Sequence, residues 1–261
     1  MFAQKNVLLI CVSIFAYCGI TAADNYVDKS LTGKLSVQVG DSKRKSSQDR
    51  ETFFGSPTIW LNATVPVAFA ENLSGNETNA LLDVLGKLES QTCLRFPVKS
   101  NEKNYTLFTK GPACAANVGM QGKRQYVFLS KGCFTPARVA RQLMHVLGFH
   151  SELNRPDRDQ YIEINWQNIR TGFVRSFSKY LPEAFLTLDF PFDFESVSHF
   201  DGNKFANDPD TWTVRSKSDP NEHLGSSNSF SASDMAKVNK IYCQSQLDNS
   251  IFGHSGMKAV R

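Results

Sequence analysis

Four cysteines, Cys93, Cys114, Cys133 and Cys243, constrain this chain more than any other feature, because they are set up to cross-link segments far apart in sequence. The chain carries six cysteines in all, and the other two, Cys11 and Cys18, fall in an apolar run from Val7 to Ile20. Lys5 precedes that run and the small residues Thr21, Ala22 and Ala23 follow it, so residues 1–23 are predicted to be a secretory signal peptide. The run is shorter than the roughly 20 residues of a spanning helix, and a polar stretch comes next, so no membrane anchor is expected. An even number of cysteines in an exported chain predicts two disulfides. Four cysteines permit three pairings, and spacing leaves all three open.

Four sequons, at Asn62, Asn72, Asn76 and Asn104, agree with secretion, since each could accept a glycan on an exposed surface. Lys and Arg number 29 against 25 Asp and Glu, and apart from Lys43-Arg44-Lys45 the positive charges are scattered, so nucleic acid is not an expected partner. With 41% hydrophobic and 21% charged residues the chain is globular rather than disordered or fibrous. Residues 24–52 are polar and lack a sustained apolar period, which predicts a pro-segment or linker. The globular domain is expected over 53–247, followed by a C-terminal tail over 248–261.

Thr64 to Phe69 is an apolar, β-branched run typical of a strand. Leu81, Leu85 and Leu88 recur at helical spacing between Glu77 and Glu89, with Leu82 and Val84 expected to widen the apolar face. Tyr105 to Thr109 and Tyr126 to Ser130 are further strand candidates. The best-signalled helix has Thr135 at its N-cap, Pro136 at its first position and Gly148 at its stop, with Val139, Leu143, Val146 and Leu147 facing a core. Ser231-x-x-Asp234 reads as a capping box opening a last helix through Met235, Val238 and Ile241. Between these two helices the sequence from Glu152 to Phe230 is turn-rich, and irregular chain is expected.

The stretch from Arg141 to Glu152 has the frame of the metalloprotease motif H-E-x-x-H-x-x-G-x-x-H. Two histidines four apart would share one helical face, a glycine would turn the chain, and a third histidine would complete a zinc site. Here the three ligand positions hold Arg141, His145 and Ser151, and the general-base position holds Gln142. Leu143-Met144-His145 through Gly148-Phe149, Arg155-Pro-Asp157-Arg158-Asp159 and Tyr161-Ile-Glu-Ile-Asn165 closely resemble the signature of the astacin family of zinc metalloendopeptidases. Thr92-Cys93-Leu-Arg95-Phe96, Gly132-Cys133, Phe177-Ser-Lys-Tyr180, Ser196-Val-Ser-His199-Phe200 and Asp234 to Cys243 extend the resemblance over roughly Trp60 to Cys243.

The resemblance implies an α+β domain of two lobes, an N-terminal twisted mixed sheet with two helices and a mostly irregular C-terminal lobe with a final helix. It also implies that Cys93 pairs with Cys243 and Cys114 with Cys133, and that Glu152 corresponds to a residue that binds the processed N-terminus. Phe53-Phe54-Gly55-Ser56 resembles the family's inhibitory Phe-x-Gly-Asp switch, with Ser56 in place of the aspartate. The methionine turn, Ser-x-Met-His-Tyr in the family, has Ser198 for the methionine and Phe200 for the tyrosine.

Chemically, a guanidinium has no lone pair for a metal, and an amide does not take a proton as a carboxylate does, a loss worth about a hundredfold to ten-thousandfold. The sequence therefore predicts a secreted, extracellular protein that is not an enzyme, holds no cofactor, and binds peptide or protein ligands in the former cleft. One alternative is a zinc metalloendopeptidase with a rearranged metal site built on His145 with His150 or His199. Another is a bulk extracellular protein with no specific ligand.

Overall fold

A mixed four-stranded sheet forms where four short apolar segments each place alternate side chains on one buried face. Its strands are β1 (Val67–Phe69), β2 (Tyr105–Lys110), β3 (Ala115–Ala116) and β4 (Arg124–Leu129). They lie in the order β1-β2-β4-β3. β1 and β4 run parallel to β2, with Val67 opposite Thr106 and Tyr105 opposite Arg124, and β3 runs antiparallel to β4 with Ala115 opposite Phe128. Gln125, Val127 and Leu129 are buried on one face of β4, while Tyr126 stacks on Phe128 at 5.3 Å on the other. The computed structural model describes residues 57–219, 221, 224, 225 and 227–244. The signal peptide, the pro-segment with Lys43-Arg44-Lys45, the Phe53 to Ser56 switch and the C-terminal tail named above all lie outside these residues.

Helix α1 (Gly75–Gln91) opens on a capping box in which Ser74 and Glu77 exchange hydrogen bonds, an N-terminal signal two residues ahead of the start expected from Glu77. Leu81, Val84, Leu85 and Leu88 are buried, as their spacing requires, but Leu82 points outward and is exposed. Helix α2 (Pro136–Val146) begins with proline at its first turn; Thr135 occupies the N-cap in extended backbone, yet its hydroxyl makes no capping bond. At the other end Gly148 takes φ +96°, and the amides of Gly148 and Phe149 bond to the carbonyls of His145 and Met144, the paired pattern that closes a helix on a left-handed residue. The remaining carbonyls at that end are also used. Val146 accepts from the Trp60 indole at 2.8 Å and Leu147 from the Tyr242 hydroxyl at 2.7 Å.

Two hydrophobic cores result. The first joins the sheet to α1 and α2 through Leu81, Leu88, Phe108, Val127, Leu143 and Val146. The second, in the C-terminal lobe, is largely aromatic, with Phe177, Phe192, Phe200 and Phe205 around Leu153 and Ile162, and Phe173 stacks on Phe205 at 4.2 Å. Most of that lobe is turns and short 3-10 segments, as its sequence predicts, except for a two-stranded antiparallel sheet of β5 (Ile162–Ile164) and β6 (Val214–Ser216). Strands of three residues carry too little alternation to be read from sequence, and the same is true of the two-residue β3.

Helix α3 (Ala232–Tyr242) follows the second lobe in sequence but packs into the first core, burying Val238 and Tyr242 there. Its capping box is present, with Asp234 accepting from the Ser231 amide at 3.0 Å and the Asp234 amide bonding back to Ser231 Oγ at 2.9 Å. Disulfides join Cys93 to Cys243 and Cys114 to Cys133, with Cα separations of 5.5 and 5.6 Å. By the loss of unfolded-chain entropy, the long loop closed by the first is worth about 5 kcal/mol and the short one about 3 kcal/mol. The architecture is α+β with two lobes, an N-terminal mixed sheet flanked by two helices and an irregular C-terminal lobe, matching the fold expected from the sequence.

Candidate functional site

Helix α2 lies between the two cores, and its last two turns with the glycine turn carry the metal-motif residues. Gly148 is required there on two counts: its φ is positive, and a Cβ would stand 3.3 Å from both Leu186 and Pro57. Arg141, Gln142 and His145 lie on the second half of α2 and Ser151 just beyond the turn that follows it; Arg141 and Ser151 bond to the turn of residues 196–200, at the Val197 and Ser198 carbonyls.

Arg141 is half-buried, donates from Nε to the Val197 carbonyl at 3.1 Å, and lays its guanidinium 5.6 Å from the centre of the Phe200 ring. A carbonyl dipole and an aromatic face both suit a cation, so these two contacts orient the guanidinium. Gln142 is buried, and its Oε1 has no hydrogen-bond partner among the described residues. His145 is buried with Nδ1 3.0 Å from the Phe149 carbonyl, which places the proton on Nδ1. Ser151 donates to the Ser198 carbonyl at 2.8 Å and caps the turn of residues 152–154 by accepting from the Leu153 amide. Ser198 Oγ accepts from the Glu152 amide at 3.1 Å and lies 2.9 Å from Ser196 Oγ, which itself donates to Asp234. Phe200 is buried in the second core between Phe177 and Phe205.

Glu152 is buried and bonded through both of its oxygens. Its Oε1 meets Lys237 Nζ at 2.6 Å, and its Oε2 meets Arg155 at 3.3 Å and the Asp193 amide at 3.2 Å. The side chains of Glu152, Lys237 and Arg155 are all buried. Arg155 also grips Asp157 with two parallel bonds at 2.9 and 2.8 Å. Lys237 and Asp234 stand three apart on α3, so one helix face carries both the cation for Glu152 and the carboxylate for Ser196 and Val197. Sequence reasoning misses Lys237, Arg155 and Asp193 as partners of Glu152. The Asp234/Lys237 spacing is the available signal, but it has meaning only once α3 is known to turn that face toward α2.

His150 and His199 are buried neutral. His150 packs edge-on to Tyr180 at 4.7 Å and beside Phe185, and burial, with the nearby His145, pushes its pKa down to about 3. His199 Nε2 lies 2.9 Å from the Asp193 carbonyl, and burial holds its pKa down to about 4.

A zinc ion of the kind the motif implies needs three neutral donors around one point. Arg141 offers none, Ser151 has turned to a backbone carbonyl, His199 is bonded to Asp193, and His150 packs among aromatic rings. Among the described residues no three His, Cys, Asp or Glu side chains are grouped as metal ligands. The residues present do not fit the group.

Two outcomes follow from this geometry. Lys237→Met removes one buried partner of a charge network and is expected to cost about 3–5 kcal/mol in urea unfolding, with a smaller additional loss when Glu152→Gln is added. The histidines give the protein an acid-sensitive range. Unfolded, each titrates near 6.5, whereas folded they resist protonation to about 3 and about 4, so between pH 6.5 and 4 the unfolded chain binds more protons and stability falls as pH falls. Asp234, whose carboxyl is raised by burial, acts in the opposite direction at the low end. Unfolding free energy measured at pH 5 is expected to be about 1 to 3 kcal/mol below that at pH 7.

The family model named Astacin, a peptidase family, matches residues 55–243. Meprin A subunit beta of Homo sapiens is 31% identical over 216 residues, covering 82% of this chain and 30% of that one. Zinc metalloproteinase nas-7 of Caenorhabditis elegans is 30% identical over 228 residues, 84% of this chain and 59% of its own. Low choriolytic enzyme of Oryzias latipes is 30% identical over 211 residues, 78% and 76%. The chain thus spans about a third of the length of human meprin A subunit beta and 59% of nas-7. Among solved structures, High choriolytic enzyme 1, a hatching enzyme zinc-protease from Oryzias latipes, superposes with a TM-score of 0.67 at 25% identity, covering 78% of this chain and 98% of that one. The expectation that this chain is not an enzyme is corrected by these matches. Relatives named as zinc metalloproteinases share its sequence, and a zinc-protease shares its fold over nearly that protein's whole length. Arg141, Gln142, Ser151, Ser198 and Phe200 are five exchanged positions, whereas the family match extends over residues 55–243. The chain belongs to the astacin family of peptidases.

Proposed function

We propose that this chain acts on polypeptides as a secreted protein of the metalloendopeptidase class, seating an acidic segment of a peptide or protein against Arg141 between its two lobes. The class is supported by the names of its relatives. Secretion is supported by the signal peptide predicted for residues 1–23, the sequons and two disulfides, which persist in oxidising compartments. Among the described residues no helix is long and apolar enough to cross a membrane. The observation that carries the ligand class is the half-buried guanidinium of Arg141, fixed by the Val197 carbonyl and the Phe200 ring at the end of α2. A permanent cation oriented in this way favours carboxylates over amides of the same shape, because a charge-assisted bond is worth about twice a neutral one.

The test is equilibrium binding of a fluorescent acidic peptide and of its Asn/Gln counterpart to the purified secreted protein. The acidic peptide is expected to bind about tenfold or more tightly than the amide form, and Arg141→Gln is expected to erase the difference. Equal affinity of the two peptides would overturn the acidic preference, and the absence of saturable binding by either would overturn the polypeptide reading. Hydrolysis is followed in the same samples by mass spectrometry, with and without a chelator.

The metal question has its own measurement. Arg141→His with Ser151→His restores imidazoles at the two exchanged ligand positions beside His145. Elemental analysis of this variant is expected to find most of an equivalent of zinc above the content of the unmodified protein. Equal contents in the two would mean that the donor set is not what limits metal at this place.

A further inference from the structure

We infer that Asn62 carries an N-linked glycan whose role is to cover the open margin of the N-terminal sheet. The margin is not β1 itself. The segment from Arg95 to Lys99 runs alongside β1, with the Val65 amide bonded to the Arg95 carbonyl, the Val67 amide to that of Pro97, and the Lys99 amide to that of Val67. Among the described residues, no strand lies beyond this outermost segment in the sheet order. Two large apolar side chains stand out on this flank, Val98 at 73% and Leu61 at 72% exposure. An open sheet margin with exposed apolar side chains is a template for pairing between copies, and folded proteins ordinarily blunt such margins. Here Phe96 has its amide covered by the Glu89 carboxylate, which leaves Val98 and Leu61 exposed.

Asn62 is placed to complete that protection. It neighbours Leu61, and the residue after it, Ala63, accepts a hydrogen bond from the Arg95 amide, so Asn62 stands at the head of the margin. It is exposed, and its side-chain amide makes no hydrogen bond among the described residues. Its backbone adopts φ +54°, a left-handed conformation that asparagine tolerates better than most residues. The sequon residue Thr64 bonds its hydroxyl to the Asn62 carbonyl at 3.0 Å and leaves the amide to solvent. The other sequons differ. Asn72 uses its amide group to hold Thr109 and Lys110, Asn76 lies in the first turn of α1, and Asn104 is half-buried with Thr106 fully buried. Of the four, Asn62 combines an open amide with contact to the sheet margin.

In the transfer itself, the Asn62 amide nitrogen attacks the anomeric carbon of an oligosaccharide linked to a polyprenyl pyrophosphate. The new C–N bond forms as the bond from that carbon to the pyrophosphate oxygen breaks. The carrier leaves as the pyrophosphate and the amide proton passes to a base. No oxidant or reductant is involved.

The experiment uses the full chain secreted from eukaryotic cells. Glycopeptide mass spectrometry is expected to find Asn62 modified, and an unmodified Asn62 in the secreted protein would overturn the inference. Thr64→Ala destroys the sequon while keeping the asparagine and its backbone conformation. It is expected to shift the protein from monomer to oligomer in sedimentation at concentrations where the unmodified protein is monomeric. Thr64→Ala with Val98→Lys is expected to return to monomer. Enzymatic removal of glycans from the folded wild-type protein serves as a second route that involves no substitution and is expected to give the same association. Monomeric behaviour of both the Thr64→Ala variant and the deglycosylated protein would overturn the shielding role.

Discussion

The ion network of Glu152, Lys237 and Arg155 is the interaction on which the rest of the site depends. Burying three ionised side chains is costly, and the cost is offset only because each oxygen of Glu152 is met at hydrogen-bond distance and the Asp193 amide adds a further donor. The network draws together the turn after α2, the residues before the 196–200 turn, and α3. Arg141 meets the Val197 carbonyl, and Ser151 the Ser198 carbonyl, only because those segments are fixed in this way. The position of the charge at the end of α2 is thus set largely by residues outside the motif that first draws attention.

That dependence explains how the site can exchange its donors and keep its shape. Ser151 and Ser198, where the motif and the methionine turn have a histidine and a methionine, are both held by hydrogen bonds, with Ser198 and Ser196 lining a small cavity beside Glu152 and Lys237. The Ser151 hydroxyl donates to the Ser198 carbonyl, and the Ser198 hydroxyl meets that of Ser196, which donates to Asp234, so the two turns are bound to the cap of α3. Arg141 likewise finds an acceptor and a ring. Gln142 is the exception, with a buried oxygen lacking a partner among the described residues. It marks the one motif position at which the exchange is not locally compensated.

What is legible in the sequence divides along physical lines. Pro136 and Gly148 bound α2 correctly because both act through their own backbone restrictions, and Ser231/Asp234 announce α3 because a capping box is a local signal. Val84 and Leu82 show where periodicity loses resolution, since both sit near the boundary of the apolar stripe and only packing decides which turns inward. The lobe beyond Glu152 reads as irregular because its order comes from ring contacts such as Phe173 on Phe205 and Tyr161 on Phe192, which have no fixed spacing in the chain. The enzyme class is misjudged from sequence for a different reason. A handful of exchanged side chains weigh heavily on their chemistry, while family membership rests on likeness across the whole domain.

The place of α3 bears on how the chain is made. Tyr242 supplies a hydroxyl to the end of α2, Val238 fills the first core, and Cys243 bonds to Cys93, so the lobe synthesised first is completed by the last residues of the domain. A ribosome delivering this chain holds that lobe unfinished until about residue 243 has emerged, at a rate of roughly 5–20 residues per second. During that interval Cys93 waits for its partner, while Cys114 and Cys133, only 19 residues apart, can already join. The short loop is therefore the natural first covalent landmark of oxidative folding, and the long one its closing step.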